Sequence, residues 1–209
     1  MKRIISSMSV LSLSLGLCIF ITIAALSPKI GTAVVHAKSQ DGNSFSSVIP
    51  NSFSEKQLQL LNFAHTVSRE DGNSSPEILQ AVILQESLAG GLKTYRVANA
   101  GGKQPYFGVA QIKLVAAKDV ISAYPALLEK YKFQTKTDEE IMAHLILNDE
   151  FNIEVASKYL KILKDDYGFA DNVILAAAYN AGPAGARSGG GKSYAQSVMK
   201  YVQELKNKL

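Results

Sequence analysis

The residue with the clearest potential for chemistry is Glu86, a carboxylic acid near the end of a predicted apolar helix. Counting back in steps of four residues gives Val82 and Ile78, so Glu86 continues the core-facing stripe of that helix. A carboxylate on such a stripe is costly, and the negative end of the helix dipole disfavours its charge further. Both effects favour the protonated form, which a general acid at neutral pH requires. A frayed helix end that lets Glu86 reach water is the alternative interpretation.

Helical patterns after residue 53 supply the scaffold for this acid. A capping box, Ser54-x-x-Gln57, begins the first predicted helix. Its apolar stripe is formed by Leu58, Leu61, Ala64 and Val67. Ser75-Pro76 begins the helix that carries Glu86, because serine is a good N-cap and proline fits the first helical turn. Gly90-Gly91 stops that helix.

More helices are predicted along the rest of the chain. They lie at about residues 111–123, from Thr137 onward, and at 152–166, 172–180 and 194–206. Segment 172–180 is almost all apolar, so its helix is predicted to be central to the core. No segment shows the alternation that is typical of a strand. The sequence therefore predicts an all-α fold with one domain over residues 54–209.

Residues 1–37 are interpreted as a secretory signal peptide. Lys2-Arg3 precede an uncharged stretch over residues 4–26, and Val35-His36-Ala37 fits a cleavage site. An uncleaved membrane anchor is the alternative, because the apolar run approaches the ~20 residues that a membrane span needs. Residues 38–53 are rich in Ser and Asn and are predicted to form a flexible linker. We therefore expect a periplasmic or secreted protein, with a membrane-anchored form left open.

Composition and charge exclude several classes of protein. Hydrophobic residues make up 47% of the chain and charged ones 19%, which excludes wholesale disorder. The single cysteine excludes a disulfide framework and any multi-cysteine metal site, and we expect no metal and no cofactor. Residues 1–37 hold three of the 22 basic residues and none of the 18 acidic ones. The remainder is nearly neutral, which argues against binding to nucleic acid.

Three motifs follow one another along the chain: Glu86-Ser87, Gly108-Val109-Ala110-Gln111-Ile112 and Ala178-Tyr179-Asn180-Ala181-Gly182-Pro183. A fourth segment, Asn152-Ile153 followed by Ala156 and Tyr159-Leu160, lies between the second and the third. Together they resemble the soluble lytic transglycosylase domain, a lysozyme-like family that cleaves bacterial peptidoglycan. The resemblance covers roughly residues 58–205.

The resemblance implies a lysozyme-like helical fold and a role for several residues. Glu86 matches the family's single catalytic acid and base, and Gln111 matches the glutamine that lines the glycan cleft. Tyr179 matches the tyrosine that helps to orient the catalytic carboxyl group, and Asn180 matches its neighbour at the cleft. Ser87 matches the serine after the acid, which we group with the substrate-binding residues in a supporting rather than reacting role.

The implied reaction cleaves the β-1,4 bond between N-acetylmuramic acid and N-acetylglucosamine and forms a 1,6-anhydro sugar. A hydrolase of the inverting type needs a second carboxylate roughly 6.5–9.5 Å from the first, and a retaining one needs it closer. Between Ser87 and Lys118 the chain has no Asp or Glu. One carboxyl group suffices when the attacking hydroxyl belongs to the sugar itself. Asp119 or a later acid can still fold into the cleft, so a lysozyme-type muramidase is the alternative enzyme.

The expected partners are the glycan strands of peptidoglycan, bound by a monomer. A non-catalytic peptidoglycan-binding component of a secretion apparatus is an alternative from another class, and secretion-system or cell-wall machinery is a further candidate partner. The basic residues from 93 to 118, which include Lys113 and Lys118, either meet acidic peptide stems or form a solvated face. Tyr106 and Phe107 either stack on sugar rings or pack in the core.

Overall fold

The computed structural model describes residues 53–73, 75–91 and 105–208 of the 209-residue chain. By its internal contacts the chain divides into two units, Met1–Asn43 and Ser44–Leu209, and all described residues belong to the second. The predicted signal peptide and nearly all of the predicted linker lie outside the described residues. None of the described helices is long and apolar enough to cross a membrane.

Helices account for 72% of the described residues, which agrees with the predicted all-α class. In this part of the chain the helices are α1 (Glu55–Glu70), α2 (Pro76–Ser87), α3 (Leu114–Ala123), α4 (Ala126–Lys130), α5 (Asp138–Leu147), α6 (Asp149–Asp165), α7 (Asn172–Arg187) and α8 (Lys192–Lys208). Two short strands, β1 (Tyr106–Phe107) and β2 (Ile112–Lys113), pair antiparallel between α2 and α3 in the sequence. The strands were not predicted, because two residues are too few to show alternation.

Helix α1 begins at the predicted capping box. The N–H of Gln57 donates to Ser54 Oγ at 3.3 Å, and the N–H of Ser54 donates to Gln57 Oε1 at 2.9 Å. The later members of the predicted stripe are buried, but Leu58 is 45% exposed and Leu60 is buried in its place. The expectation for Leu58 was wrong, because residues spaced by three drift around an α-helix of about 3.6 residues per turn, which places Leu58 on the side opposite Val67.

Helix α2 runs through the centre of the core. Every residue from Ile78 to Leu84 is buried, because α1, α6, α7 and α8 all pack against this helix. Helix α7, which the sequence predicted to be central, buries Leu175 to Tyr179 but leaves Val173 and Ile174 44% and 46% exposed. The acid at position 86 is therefore carried by the helix that the core surrounds most completely.

Two helix boundaries differ from the prediction near the motifs. Helix α3 begins at Leu114 rather than near residue 111, because Gln111 has a φ of +49° that a right-handed helix does not include. Helix α7 continues to Arg187 across a kink at Gly182, whose φ is +75°. Pro183 restarts the helix after the kink, where its missing N–H leaves no hydrogen bond unmade.

Candidate active site

Glu86 lies in the last turn of α2, where its side chain is partly buried. The helix ends directly after it, because Leu88 and Ala89 adopt left-handed conformations with φ of +51° and +53°. Ile78 and Val82, on the same stripe, are buried as predicted. The Glu86 side chain therefore lies at the edge of the core, where it is neither fully buried nor fully exposed.

Two tyrosines from other helices lie beside the Glu86 carboxyl group. Burial, and after it the charge of Glu86, raises the pKa of Tyr179 in α7 far above the ordinary value. The same two causes, in the same order, raise the pKa of Tyr194 in α8, and Glu86 also acts on it as a hydrogen-bond acceptor. The Tyr194 hydroxyl group is buried and has no hydrogen bond of ordinary geometry among the described residues.

The second motif forms a tight turn that is fixed by side chains from other helices. The Ser87 hydroxyl group at the end of α2 donates to the carbonyl oxygen of Val109 at 2.7 Å. The Tyr179 hydroxyl group of α7 donates to the carbonyl oxygen of Ala110 at 2.8 Å. Both bonds are buried and satisfy backbone groups that a turn leaves without helical or strand partners. The first and third motifs are thereby joined to the second.

Asn152, in α6, holds the same turn and is fully buried. Its Oδ1 accepts the N–H of Ala110 at 2.7 Å. Its Nδ2 donates to the carbonyl oxygens of Phe107 and Leu145 at 2.9 and 3.2 Å. The sequence pattern contained Asn152 in the fourth motif but assigned it no role. Because all of its partners lie on other elements, no local signal could have revealed that role.

Gly108 is required in this turn for two reasons. Its φ is +72°, a left-handed conformation that side-chain-bearing residues rarely adopt. A Cβ atom at this position would lie 2.2 Å from the carbonyl oxygen of Leu145 and 2.3 Å from Nδ2 of Asn152. The turn can approach α5 and α6 this closely only because the residue has no side chain.

Gln111 lines a small cavity beside this turn. It is 5% exposed, and its Nε2 donates to the carbonyl oxygen of Gly108 at 2.8 Å. The cavity has a volume of about 40 Å³ and is lined by Tyr106, Gln111, Ile112, Lys113, Ala116, Tyr159, Tyr179 and Gly182. A space of this size admits water rather than a sugar ring. This cavity alone is therefore not a glycan site.

Ser87 and Asn180, which were also predicted to bind substrate, do not line this cavity. The Ser87 hydroxyl group is buried, and besides donating to Val109 it accepts the N–H of Gly90 at 2.9 Å. Ser87 therefore fixes the end of α2 against the turn and is not placed to touch a substrate. Asn180 is partly buried next to Tyr179 and does not line the cavity.

A second carboxylate, that of Asp119 in α3, affects the pKa of a third tyrosine in this region. Tyr159 of α6 packs against Tyr179 with ring centroids 5.7 Å apart. Burial, followed by the charges of Tyr167 and Asp119, raises the pKa of Tyr159 to about 12. Asp119 thus acts on Tyr159, whereas Glu86 acts on Tyr179.

A larger cavity lies away from these residues, between α1 and the start of α6. Its volume is about 360 Å³, and its lining is Lys56, Gln59, Leu60, Phe63, Leu147, Asn148, Asp149 and Glu150. Lys56 Nζ lies 3.0 Å from Asp149 Oδ2 on its wall. None of these residues belongs to the motifs. Among the described residues no group of three or more His, Cys, Asp or Glu side chains could hold a metal ion.

The chain matches no family model, no curated protein and no solved structure. The motifs and the geometry that joins them are therefore the features that bear on function. That geometry comprises a partly buried acid, two tyrosines with buried hydroxyl groups whose pKa values its charge raises, and a turn fixed by three helices.

Proposed function

We propose that the protein is a lytic transglycosylase with a lysozyme-like fold, which cleaves peptidoglycan with Glu86 as its single general acid and base. The observation that carries this proposal is the convergence of four motif segments on one turn. Ser87, Asn152 and Tyr179 each form a hydrogen bond to the backbone of residues 109–110, although they lie 22, 42 and 69 residues away in sequence. If the motif segments matched the family only by chance, they would not be expected to contact one another next to Glu86.

In the proposed mechanism Glu86 acts first as an acid and then as a base. Its proton passes to the glycosidic oxygen while the bond from C1 of N-acetylmuramic acid to that oxygen breaks. The 6-hydroxyl group of the same ring attacks C1, and the Glu86 carboxylate takes the hydroxyl proton. The carboxyl group is restored, and the product carries a 1,6-anhydro bridge. Because the ring itself holds the hydroxyl group near C1, no activated water is needed.

The surroundings of Glu86 support both halves of this cycle. Partial burial and the negative end of α2 favour the protonated acid that begins it. Tyr194 stays neutral because its pKa is raised, so its buried hydroxyl group can donate to the carboxylate once it forms. Tyr179, whose hydroxyl group is bound to Ala110, acts instead by positioning the turn and the cavity wall.

A lysozyme-type muramidase is the second candidate, and one observation favours it. The charge of Asp119 acts on Tyr159, whose ring packs against that of Tyr179. In a hydrolase Asp119 would serve as the second carboxylate that activates water or attacks C1. We favour the intramolecular reaction because Asp119 is exposed on α3, whereas Glu86 is partly buried, and because no acidic residue lies between Ser87 and Lys118.

Product analysis with purified peptidoglycan tests the proposal. The soluble products are treated with borohydride before mass spectrometry, because borohydride reduces the free ends that hydrolysis creates and leaves 1,6-anhydro ends unchanged. We predict that the new ends are anhydro ends. Reducible ends would favour the muramidase, and a lack of soluble products with retained binding would favour a non-catalytic component of a secretion apparatus.

The proposed substrate also bears on where the protein acts. Peptidoglycan lies outside the cytoplasmic membrane, so an enzyme that cleaves it has to be exported. This requirement fits the interpretation of residues 1–37 as a signal segment.

A further inference from the structure

Lys113 places a positive charge on the wall of the cavity that Gln111 and Tyr179 also line. The antiparallel register of the two strands pairs Lys113 directly with Tyr106. The other cross-strand pair is buried, so alternation directs Lys113 and Tyr106 to the opposite, partly exposed face. The strand pair therefore fixes which side of the turn carries the charge.

The ammonium group of Lys113 is held in place without being neutralised. It lies 5.1 Å from the centroid of the Tyr106 ring, a cation–π contact that orders the side chain and leaves its charge intact. No ion pair to Lys113 occurs within residues 53–73, 75–91 and 105–208. Lys118, by contrast, forms an ion pair with Asp138 at 2.8 Å. Of these two lysines, Lys113 is the one with an available charge, and it lies at the cavity.

The beginning of α3 adds charge of the same sign. Lys113 is the N-cap residue, its side chain forms no capping hydrogen bond, and the first turn of α3 contains no acidic residue. The positive end of the helix dipole therefore lies at the backbone of the residue that carries the ammonium group. Together they favour an anionic group of a bound molecule at this wall.

We propose that Lys113 binds a carboxylate of the peptide stems on peptidoglycan and thereby selects peptide-bearing glycan over glycan without acidic groups. This inference rests on the proposed function, and it adds a specificity-determining residue to it. The contact is a charge-assisted hydrogen bond, which is stronger than a neutral one. We expect it to favour the acidic substrate by about tenfold.

The test compares two substrates that differ only in charge. One is purified peptidoglycan, and the other is the same preparation after carbodiimide coupling to ammonia has turned its carboxylates into amides. Cleavage by the full chain and co-sedimentation with the insoluble material are both measured. The wild-type protein is expected to cleave and bind the unmodified substrate about tenfold better.

The variants separate charge from packing. Lys113→Met keeps an apolar stem over Tyr106 and is expected to abolish the preference by weakening only the reaction with unmodified peptidoglycan. Lys113→Arg keeps the charge and is expected to retain the preference. Lys200→Ala, at an exposed position of α8, removes the same net charge elsewhere and serves as the control.

Several results would overturn the proposal. Equal losses on both substrates in Lys113→Met would mean that Lys113 only supports Tyr106, and an unchanged preference would mean that it binds no carboxylate. Failure of the proposed function has a different signature, because the wild-type protein would then release from both substrates either no product or products with reducible ends. In that case the co-sedimentation of the wild-type and Lys113→Met proteins with the two substrates would still show whether Lys113 binds a carboxylate.

Discussion

The hydroxyl group of Tyr179 donates a hydrogen bond of 2.8 Å to the carbonyl oxygen of Ala110. This bond ties the middle of α7 to the turn that carries Gln111, across 69 residues of sequence. The resemblance implies that Tyr179 orients the catalytic carboxyl group, whereas its hydroxyl group is bound to the turn. Tyr179 fixes the turn, while the Tyr194 hydroxyl group lies beside Glu86 without another partner of ordinary geometry in the described part of the chain.

Replacing Tyr179 by Phe should destabilise the fold. The Ala110 carbonyl group would lose its buried donor, which costs about 1–3 kcal/mol in the free energy of unfolding. Urea unfolding followed by circular dichroism measures this loss. Tyr167→Phe is the matched control, because Tyr167 is 42% exposed, and we expect a change below about 0.5 kcal/mol there. Equal stabilities of the two variants would show that the hydrogen bond contributes nothing.

Replacing Gly108 by Ala should be far more damaging than the same change at Gly168. Both glycines have left-handed backbones, with φ of +72° and +76°. A Cβ at Gly108 would lie 2.2 Å from a backbone oxygen, whereas one at Gly168 meets nothing within 4 Å. We expect a loss of about 1 kcal/mol for Gly168→Ala and of more than about 3 kcal/mol for Gly108→Ala in thermal unfolding. Similar losses would mean that the turn can move away from Leu145.

The elements that sequence predicts well are those specified by neighbouring residues. The capping box at Ser54 and Gln57 and the N-cap at Thr137 form as expected, because each needs only backbone groups within one helical turn. The motif residues Glu86, Gln111 and Tyr179 also belong to one region, although their mutual placement came from a resemblance rather than from periodicity.

The parts that sequence does not predict depend on distant partners. Tyr194 carries no pattern that points to Glu86, since the two lie on helices at opposite ends of the domain sequence. The sequence predicts a helix from about residue 111, whereas Gln111 precedes α3. Its left-handed backbone results from the closure of the turn between the two strands.

Glu140 should stabilise the folded domain at neutral pH and lose this effect in acid. The pKa of Glu140 is lowered from 4.5 to about 2, above all by the hydrogen bond that its carboxylate accepts from the N–H of Gln134. Desolvation raises this pKa, and hydrogen bonds from the N–H groups of Thr135 and Lys136 lower it further. A lowered pKa in the folded state means that this contribution is complete above pH 4.5 and is lost as the pH falls toward 2.

The variant Glu140→Gln tests this pH dependence. It should be less stable than the wild type at pH 7, and the difference should shrink between pH 4.5 and 2, as followed by urea unfolding at each pH. Glu139→Gln is the control, because Glu139 is exposed beside it and should show no such trend. A difference that stays constant down to pH 2 would rule out the carboxylate as its source.

The variant Asp119→Asn separates the two enzymatic candidates. If the sugar attacks itself, the loss of this exposed carboxylate should change the rate by less than about threefold and leave the anhydro ends unchanged. If Asp119 supplies the second carboxylate, the rate should fall by at least about a hundredfold. Borohydride treatment and mass spectrometry of the products measure both quantities.

Release of anhydro-muropeptides by the Glu86→Gln protein tests most directly whether one carboxyl group performs the reaction. The matched control is Glu77→Gln, the same chemical change in the first turn of the same helix. We predict that Glu86→Gln lowers product release by at least about a hundredfold at unchanged unfolding stability, while Glu77→Gln retains the wild-type rate. Full activity of Glu86→Gln would contradict the assignment of Glu86 as the acid and base.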